Sequence, residues 1–200
     1  MKSIFQTSRY YSNSPRIVFI LLIIIMVFLF GVGCSEKWKE EVQLSDGRII
    51  IVEREMQSER GGDELAFNRS GTKPKKYSIQ FIHPDESGKL IKWSSTKMSS
   101  SGTWPEIPLI LNIELGHPII YSLAGVSAGC EVYSKYIYRN GIWIEEALPD
   151  KFKELMSNLY ARLHNDMPKY VDLETKRKWY SNIRTRRAVK QVGPMRKVCV

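Results

Sequence analysis

The sequence predicts an α+β fold, with an antiparallel β-sheet of short hairpins followed by one or two C-terminal helices. Between residues 40 and 144, short runs alternate apolar and polar side chains and are separated by turn residues, which is typical of strands. After Pro149 the period changes, because apolar side chains recur every three or four residues, as on one face of a helix. These side chains are Phe152, Leu155, Leu159 and Leu163.

The predicted strands form pairs joined by short turns. They cover residues 40–44, 48–54, 76–83, 90–96, 107–114, 119–123, 132–138 and 142–144. Asn140-Gly141 is the strongest hairpin signal, because both central residues of a type I′ turn need positive φ. Asp46-Gly47 predicts a second hairpin, and Gly116-His117-Pro118 predicts a turn. Residues 55–75 are polar and glycine-containing and predict a long loop, and Leu173–Lys190 predicts a second, basic helix.

The N-terminus has the layout of an export signal. Lys2, Arg9 and Arg16 precede an apolar run that begins at Ile17, and no acidic residue occurs before Glu36. The run ends in Val32-Gly33-Cys34, which resembles a bacterial lipoprotein signal, in which the cysteine receives the lipid. The resemblance implies lipidation of Cys34.

A retained single-pass helix is the alternative interpretation of the same segment. Residues 17–33 are close to the lower limit of about 17–25 residues for a helix that spans a bilayer. Both interpretations place Ser35 and all that follows on the periplasmic side of a bacterial membrane. We therefore predict a membrane-anchored protein of the cell envelope.

Charge is distributed unevenly along the chain, whose formal net charge is +9. Residues 175–200 carry nine basic and no acidic side chains, whereas residues 34–174 carry 18 basic and 21 acidic ones. We therefore distinguish a membrane-anchor segment (1–33), a β-rich exported domain (34–170) and a basic C-terminal helix or tail (171–200). Such a basic run is either a solvated extension or a contact for anionic lipid or an envelope polymer. The anion-contact candidates are Lys176, Arg177, Lys178, Arg184, Arg186 and Arg187.

The three cysteines predict two kinds of modification. If Cys34 carries lipid, Cys130 and Cys199 remain as an even pair in an oxidising compartment. A disulfide between them would close a loop of about 70 residues, and two free thiols are the alternative. No spacing typical of a metal site is present, and no cofactor or nucleic-acid partner is predicted.

Several stretches of the exported region resemble a family of uncharacterised bacterial lipoproteins. They are Trp38-Lys39-Glu40-Glu41-Val42, Leu44-Ser45-Asp46-Gly47-Arg48, Val52-Glu53-Arg54-Glu55, Thr103-Trp104-Pro105-Glu106-Ile107-Pro108, Gly129-Cys130-Glu131-Val132-Tyr133, Asn140-Gly141-Ile142-Trp143 and Leu148-Pro149. The resemblance implies export and a compact β-rich domain. It implies no activity and no catalytic residues.

One string has the form of a catalytic motif. Residues 125–129, Gly-Val-Ser-Ala-Gly, match the G-x-S-x-G elbow that exposes a nucleophilic serine between a strand and a helix. A small serine hydrolase built on Ser127, with Asp150 and His164, is therefore the alternative function. It is disfavoured because the residues after Ser127 predict a strand. The favoured function is a non-enzymatic, membrane-tethered binding or scaffolding domain.

Overall fold

The computed structural model describes residues 35–60, 72–99, 104–126, 130–148, 155–160, 168–180, 188–189 and 197–199. The chain divides into two compact units, Met1–Gly33 and Cys34–Val200, and every described residue belongs to the second. The predicted anchor and Cys34 lie outside the described residues. None of the helices formed by the described residues is long and apolar enough to cross a membrane.

A first five-stranded sheet contains the N-terminal part of the second unit. Its strands are β1 (Ser35–Gln43), β2 (Ile49–Arg60), β3 (Thr72–Ile82), β4 (Leu90–Ser94) and β10 (Tyr170–Val171). Their order is β10-β1-β2-β3-β4, and all neighbours are antiparallel except β10, which runs parallel to β1. Strict alternation along β1 buries one face of this sheet and exposes the other.

A second sheet is built from the middle of the chain and the C-terminus. Its strands are β5 (Ile107–Glu114), β6 (His117–Val126), β7 (Cys130–Arg139), β8 (Ile142–Glu146) and β12 (Lys197–Cys199). The order is β12-β7-β6-β5, and β8 also pairs with β7. A two-stranded pair, β9 (Leu155–Met156) with β11 (Ala188–Val189), and one helix, α1 (Leu173–Tyr180), complete the described elements.

The main core lies between the two sheets. Val52 and Ile79 of the first sheet, Leu111 and Ile120 of the second, and Leu159 belong to one buried cluster. The opposite face of the second sheet is also buried, around a separate apolar cluster on β5, β6 and β7. The second sheet is therefore apolar on both faces, whereas the first sheet keeps one face open to solvent.

The predicted α+β class is wrong. The described part is predominantly β, and its one helix, α1, has eight residues. The first predicted helix contains β9 and an extended segment over residues 155–160 instead. The second predicted helix ends at Tyr180, and Ala188–Val189 forms a strand.

The leucine spacing was misleading because two of the leucines enter different clusters. Leu155 packs against the outer cluster of the second sheet, whereas Leu159 is fully buried in the main core. Ser157 between them donates from its hydroxyl to the Leu109 carbonyl (2.7 Å), and the Leu159 amide donates to the same oxygen (3.1 Å). The segment thus satisfies polar backbone groups on the free edge of β5. Phe152 and Leu163 lie outside the described residues.

Asn158 joins the two sheets through its side-chain amide. Its Oδ1 accepts from the Leu111 amide (3.0 Å), and its Nδ2 donates to the Leu111 carbonyl (2.7 Å). The same Nδ2 donates to the Gln43 carbonyl of β1 (3.0 Å). One asparagine therefore acts as a strand residue for β5 and as a link to the first sheet.

Two of the observed connections between strands differ in their bounds from the predicted ones. The connection between β2 and β3 is shorter than the predicted loop over residues 55–75, because β2 continues to Arg60 and β3 begins at Thr72. Glu59 supports this extension by pairing with Lys73 (3.5 Å) and Lys75 (3.4 Å). The β5–β6 turn is Leu115-Gly116, one residue before the predicted turn.

Leu115 provides a test of this turn. It has a φ of 50° and is 99% exposed, and Gly116 has a φ of 77°, so a bulky apolar side chain occupies a left-handed position without compensating burial. Because asparagine tolerates this conformation, Leu115→Asn should raise the free energy of unfolding by about 0.5–1 kcal/mol, measured by urea denaturation.

The Asn140-Gly141 turn supplies the matched control, because Asn140 has nearly the same φ of 51°. Asn140→Leu should lower the free energy of unfolding by a similar amount. A loss of stability in Leu115→Asn would contradict the assignment of strain to this turn.

Candidate functional site: the outer face of the first sheet

The open face of the first sheet carries a polar groove. Its volume is about 470 Å³. The lining residues are Lys37, Trp38, Lys39, Glu53, Arg54, Glu55, Ser78, Gln80, Lys92 and Lys169. Those with outward positions lie opposite one another across four strands, since Lys39 faces Glu53, Glu53 faces Gln80, and Gln80 faces Lys92. We call this surface the lysine groove.

Charges in the lysine groove are only partly neutralised. Lys37 pairs with Glu55 (3.8 Å) and Lys39 with Glu53 (3.1 Å), as expected for opposite charges directly across two strands. Lys92 and Lys169 form no ion pair with any described residue and are exposed. With four lysines and two glutamates at its surface, the groove presents an excess of positive charge.

An aliphatic patch adjoins the lysine groove on the same face. It consists of Ile49, Ile51, Ile82 and Leu90, which are 46–55% exposed. Ile82 lies directly opposite Leu90, and Leu90 precedes Lys92 by two residues, so alternation places the patch and the groove on one face. Isolated exposed aliphatic residues are common, but a contiguous group on a sheet face indicates an interaction surface.

The opposite side of the same strands contains a buried ionic cluster. Glu40 is completely buried, and its Oε1 accepts from Arg54 Nη1 at 2.6 Å. Its Oε2 accepts from the Tyr160 amide at 3.0 Å and lies 3.4 Å from Lys176 Nζ. The Arg54 guanidinium also stacks over the Trp38 ring, 5.2 Å from its centroid. We call Glu40, Arg54 and Lys176 the buried triad.

Lys176 is held by carbonyl groups as well as by the carboxylate. Its ammonium donates to the Asn158 carbonyl at 2.7 Å and to the Glu41 carbonyl. Burial lowers the pKa of Lys176, and the charge of Glu40 opposes that effect. With 3% of its surface exposed, this lysine serves the interior and is not presented to an external anion.

A second buried carboxylate, Glu106, joins the segment after β4 to strands β6 and β7. Its Oε1 accepts from the amides of Thr96 (2.9 Å) and Lys97 (3.1 Å), and its Oε2 accepts from the hydroxyls of Ser122 (2.6 Å) and Tyr136 (3.0 Å). Burial raises the pKa of Tyr136, and the Glu106 charge adds to the shift. Each of these described partners donates a hydrogen bond to Glu106, and such an arrangement is typical of a structural carboxylate.

The structure describes none of the three catalytic candidates. Ser127, Asp150 and His164 all lie outside the described residues. The flanking elements are described, however: β6 ends at Val126, β7 begins at Cys130, and these two residues are register partners. The segment between them connects two antiparallel strands, whereas a nucleophile elbow leads from a strand into a helix.

The remaining predicted site residues are placed as follows. Arg177 and Lys178 lie on the exposed side of α1, and Lys178 pairs with Glu174 at 2.8 Å. Arg184, Arg186, Arg187 and Cys34 lie outside the described residues. Cys130 and Cys199 belong to β7 and β12, where they are register partners.

Neither a metal site among the described residues nor similarity to known proteins assigns a function to this chain. Among the described residues, no group of three or more histidine, cysteine, aspartate or glutamate side chains could hold a metal ion. The chain matches no protein-family model, no curated protein and no solved structure. The resemblance to a lipoprotein family therefore stays a prediction.

The buried triad was not predicted from the sequence, although the position of Glu40 in the alternating pattern of β1 indicates a buried charge. Glu40 lies between Trp38 and Val42 at an inward position of an alternating strand, where a charge needs a buried partner. Lys176 gave no comparable signal, because it belongs to a run of basic residues. The lysine groove was also missed, because it combines residues from four strands and the segment before β10.

The buried triad predicts a specific order of stability losses. Glu40→Gln leaves Arg54 and Lys176 as uncompensated buried cations, so it should lower the free energy of unfolding by about 3–5 kcal/mol. Lys176→Met keeps the Glu40–Arg54 pair and should cost about 1–2 kcal/mol, from lost hydrogen bonds. Urea denaturation of both variants measures the order.

Lys178→Met is the matched control, because Lys178 lies on the same helix with its side chain 76% exposed. It should leave the free energy of unfolding essentially unchanged. If Lys176→Met were more destabilising than Glu40→Gln, the carboxylate would not be the centre of the cluster.

Proposed function

We propose that this chain is a non-catalytic, membrane-tethered domain of the cell envelope that binds anionic phospholipid headgroups through the outer face of its first sheet. The observation that carries the proposal is the position of the lysine groove beside the aliphatic patch on one sheet face. The export and lipidation expected from residues 1–34 supply the tether.

Headgroup phosphates match the charge of the lysine groove. Lys92 and Lys169 are exposed and form no ion pair with a described residue, so binding a phosphate breaks no existing ion pair of theirs. A lysine near an anionic membrane surface contributes about 1 kcal/mol of attraction. Gln80 on the floor of the groove adds an amide group that can contact phosphate oxygens.

The aliphatic patch favours a lipid surface over a soluble anionic polymer. Aliphatic side chains gain free energy when they enter the boundary between headgroups and acyl chains, whereas a hydrated polysaccharide offers them little. Ile51 is two residues from Glu53 and Ile82 is two residues from Gln80, so the patch directly continues the groove. A surface with cations beside aliphatic groups matches the two layers of a membrane interface.

The tether makes a weak interaction sufficient. Strand β1 begins at Ser35, the residue after Cys34, and Lys37 follows two residues further along the strand, a span of about 7 Å. A lipid on Cys34 would therefore keep the lysine groove at a high effective concentration near headgroups. In the C-terminal segment, Lys176 is buried and cannot contact a membrane surface, whereas Arg177 and Lys178 are exposed on α1, outside the outer face of the first sheet.

Lysine footprinting of the full-length chain tests the proposal. The protein is reconstituted into vesicles of phosphatidylcholine, with or without phosphatidylglycerol, and acetylation rates are read by mass spectrometry. Lys92 and Lys169 should react several-fold more slowly in the anionic vesicles, and high salt should restore the rate. In Lys92→Gln/Lys169→Gln, the loss of about 2 kcal/mol should weaken surface contact on the order of 30-fold, so protection of Lys37 and Lys39 should fall.

Lys178→Gln is the matched control, because it removes an exposed charge outside the outer face and should leave groove protection intact. Protection confined to Lys178 would move the contact to α1 and contradict the proposal. Protection of the groove by a soluble anionic polysaccharide, but not by anionic vesicles, would also contradict it and assign the surface to a polymer.

A further inference from the structure

The C-terminal strand lies against the start of β7. Strand β12, Lys197–Cys199, pairs with it in antiparallel orientation. Lys197 is opposite Val132, Val198 is opposite Glu131, and Cys199 is opposite Cys130. Two cysteines separated by 68 residues in sequence are thus register partners.

We infer that Cys130 and Cys199 form a disulfide that fastens β12 to the second sheet. Directly opposite residues of an antiparallel pair have Cα atoms about 4.5–5.5 Å apart, which lies within the separation of about 4.4–6.8 Å that a disulfide requires. A register shifted by one residue would place Glu131 or Val198 opposite a cysteine and remove this match. The register therefore selects one pairing.

The chemistry requires an oxidising compartment. The two thiols lose two protons and two electrons as the sulfur–sulfur bond forms, and the disulfide of an external thiol oxidoreductase takes up both by exchange, so that its own sulfur–sulfur bond breaks to give two thiols. The inference rests on the export of the domain, because a reducing cytosol would keep both thiols reduced. Cys34 does not compete if its sulfur carries lipid.

The disulfide would restrain a short strand at the end of a long segment. Strand β12 has only three residues, so its backbone hydrogen bonds alone hold the C-terminus weakly. The closed loop contains β8, β11 and α1, including Lys176 of the buried triad. Closing the loop should raise the stability of the whole domain, because it removes conformations from the unfolded chain.

Peptide mapping of the full-length chain purified from membranes without reductant tests the inference. A peptide pair joined through Cys130 and Cys199, 2 Da lighter than the two reduced peptides, is expected, and reductant should separate it. Alkylation of both residues in the denatured, non-reduced protein would overturn the inference. So would a bond from either residue to Cys34.

Stability measurements distinguish a bridge from simple packing of two thiols. Cys130→Ser, Cys199→Ser and the double variant should all lower Tm by the same amount, about 10 °C, because either change alone breaks the bond. Reductant should lower the Tm of the wild-type chain to that of the variants and leave the variants unchanged. Additive losses in the two single variants would overturn the inference. The vesicle footprint of Lys92 is a separate readout, so failure of either proposal leaves the other testable.

Discussion

The completely buried carboxylate of Glu40 is the constraint on which the rest of the structure depends. It lies on β1, accepts from Arg54 on β2, accepts from the Tyr160 amide beyond β9, and neutralises Lys176 on α1. Four segments of the chain therefore meet at one charge. A buried ionic group of this kind adds little net stability compared with an apolar core, but an arrangement that leaves one member unpaired is strongly disfavoured. The triad therefore favours one position for α1 against the sheet.

The buried position of Glu40 also determines which side chains lie on the opposite face of the first sheet. Because side chains alternate along β1, an inward Glu40 requires an outward Lys39, and an inward Arg54 on β2 requires an outward Glu53. A shift of one residue would bring Lys39 into the core and expose Glu40. The register that neutralises the buried triad is thus the register that lines the groove with lysines. The proposed binding face and the interior are two consequences of one alternation.

The sequence predicted those features that depend on local rules. The Asn140-Gly141 and Asp46-Gly47 hairpins formed as expected, because glycine and asparagine supply positive φ at little cost. The Leu115-Gly116 turn could not be predicted in the same way, because leucine gives no signal for a left-handed position. Residues 155–160 were mistaken for a helix, because the spacing of Leu155 and Leu159 fits a helical stripe. The segment instead bonds to the free edge of β5, which lies far away in sequence and leaves no local signal.

The basic C-terminal segment shows most clearly that contacts between distant parts of the chain cannot be predicted from local sequence. By composition it is a charged extension, and nothing local distinguishes Lys176 from Arg177 or Lys178. In the structure, Lys176 completes the buried triad, while its two neighbours face solvent. The strands β11 and β12 pair with β9 and β7, so the described parts of residues 171–200 contribute to both the interior and the sheets. Net charge is therefore a poor guide to the proposed binding face. That proposal rests on Lys92 and Lys169, which form no ion pair with a described residue and lie outside the C-terminal basic run.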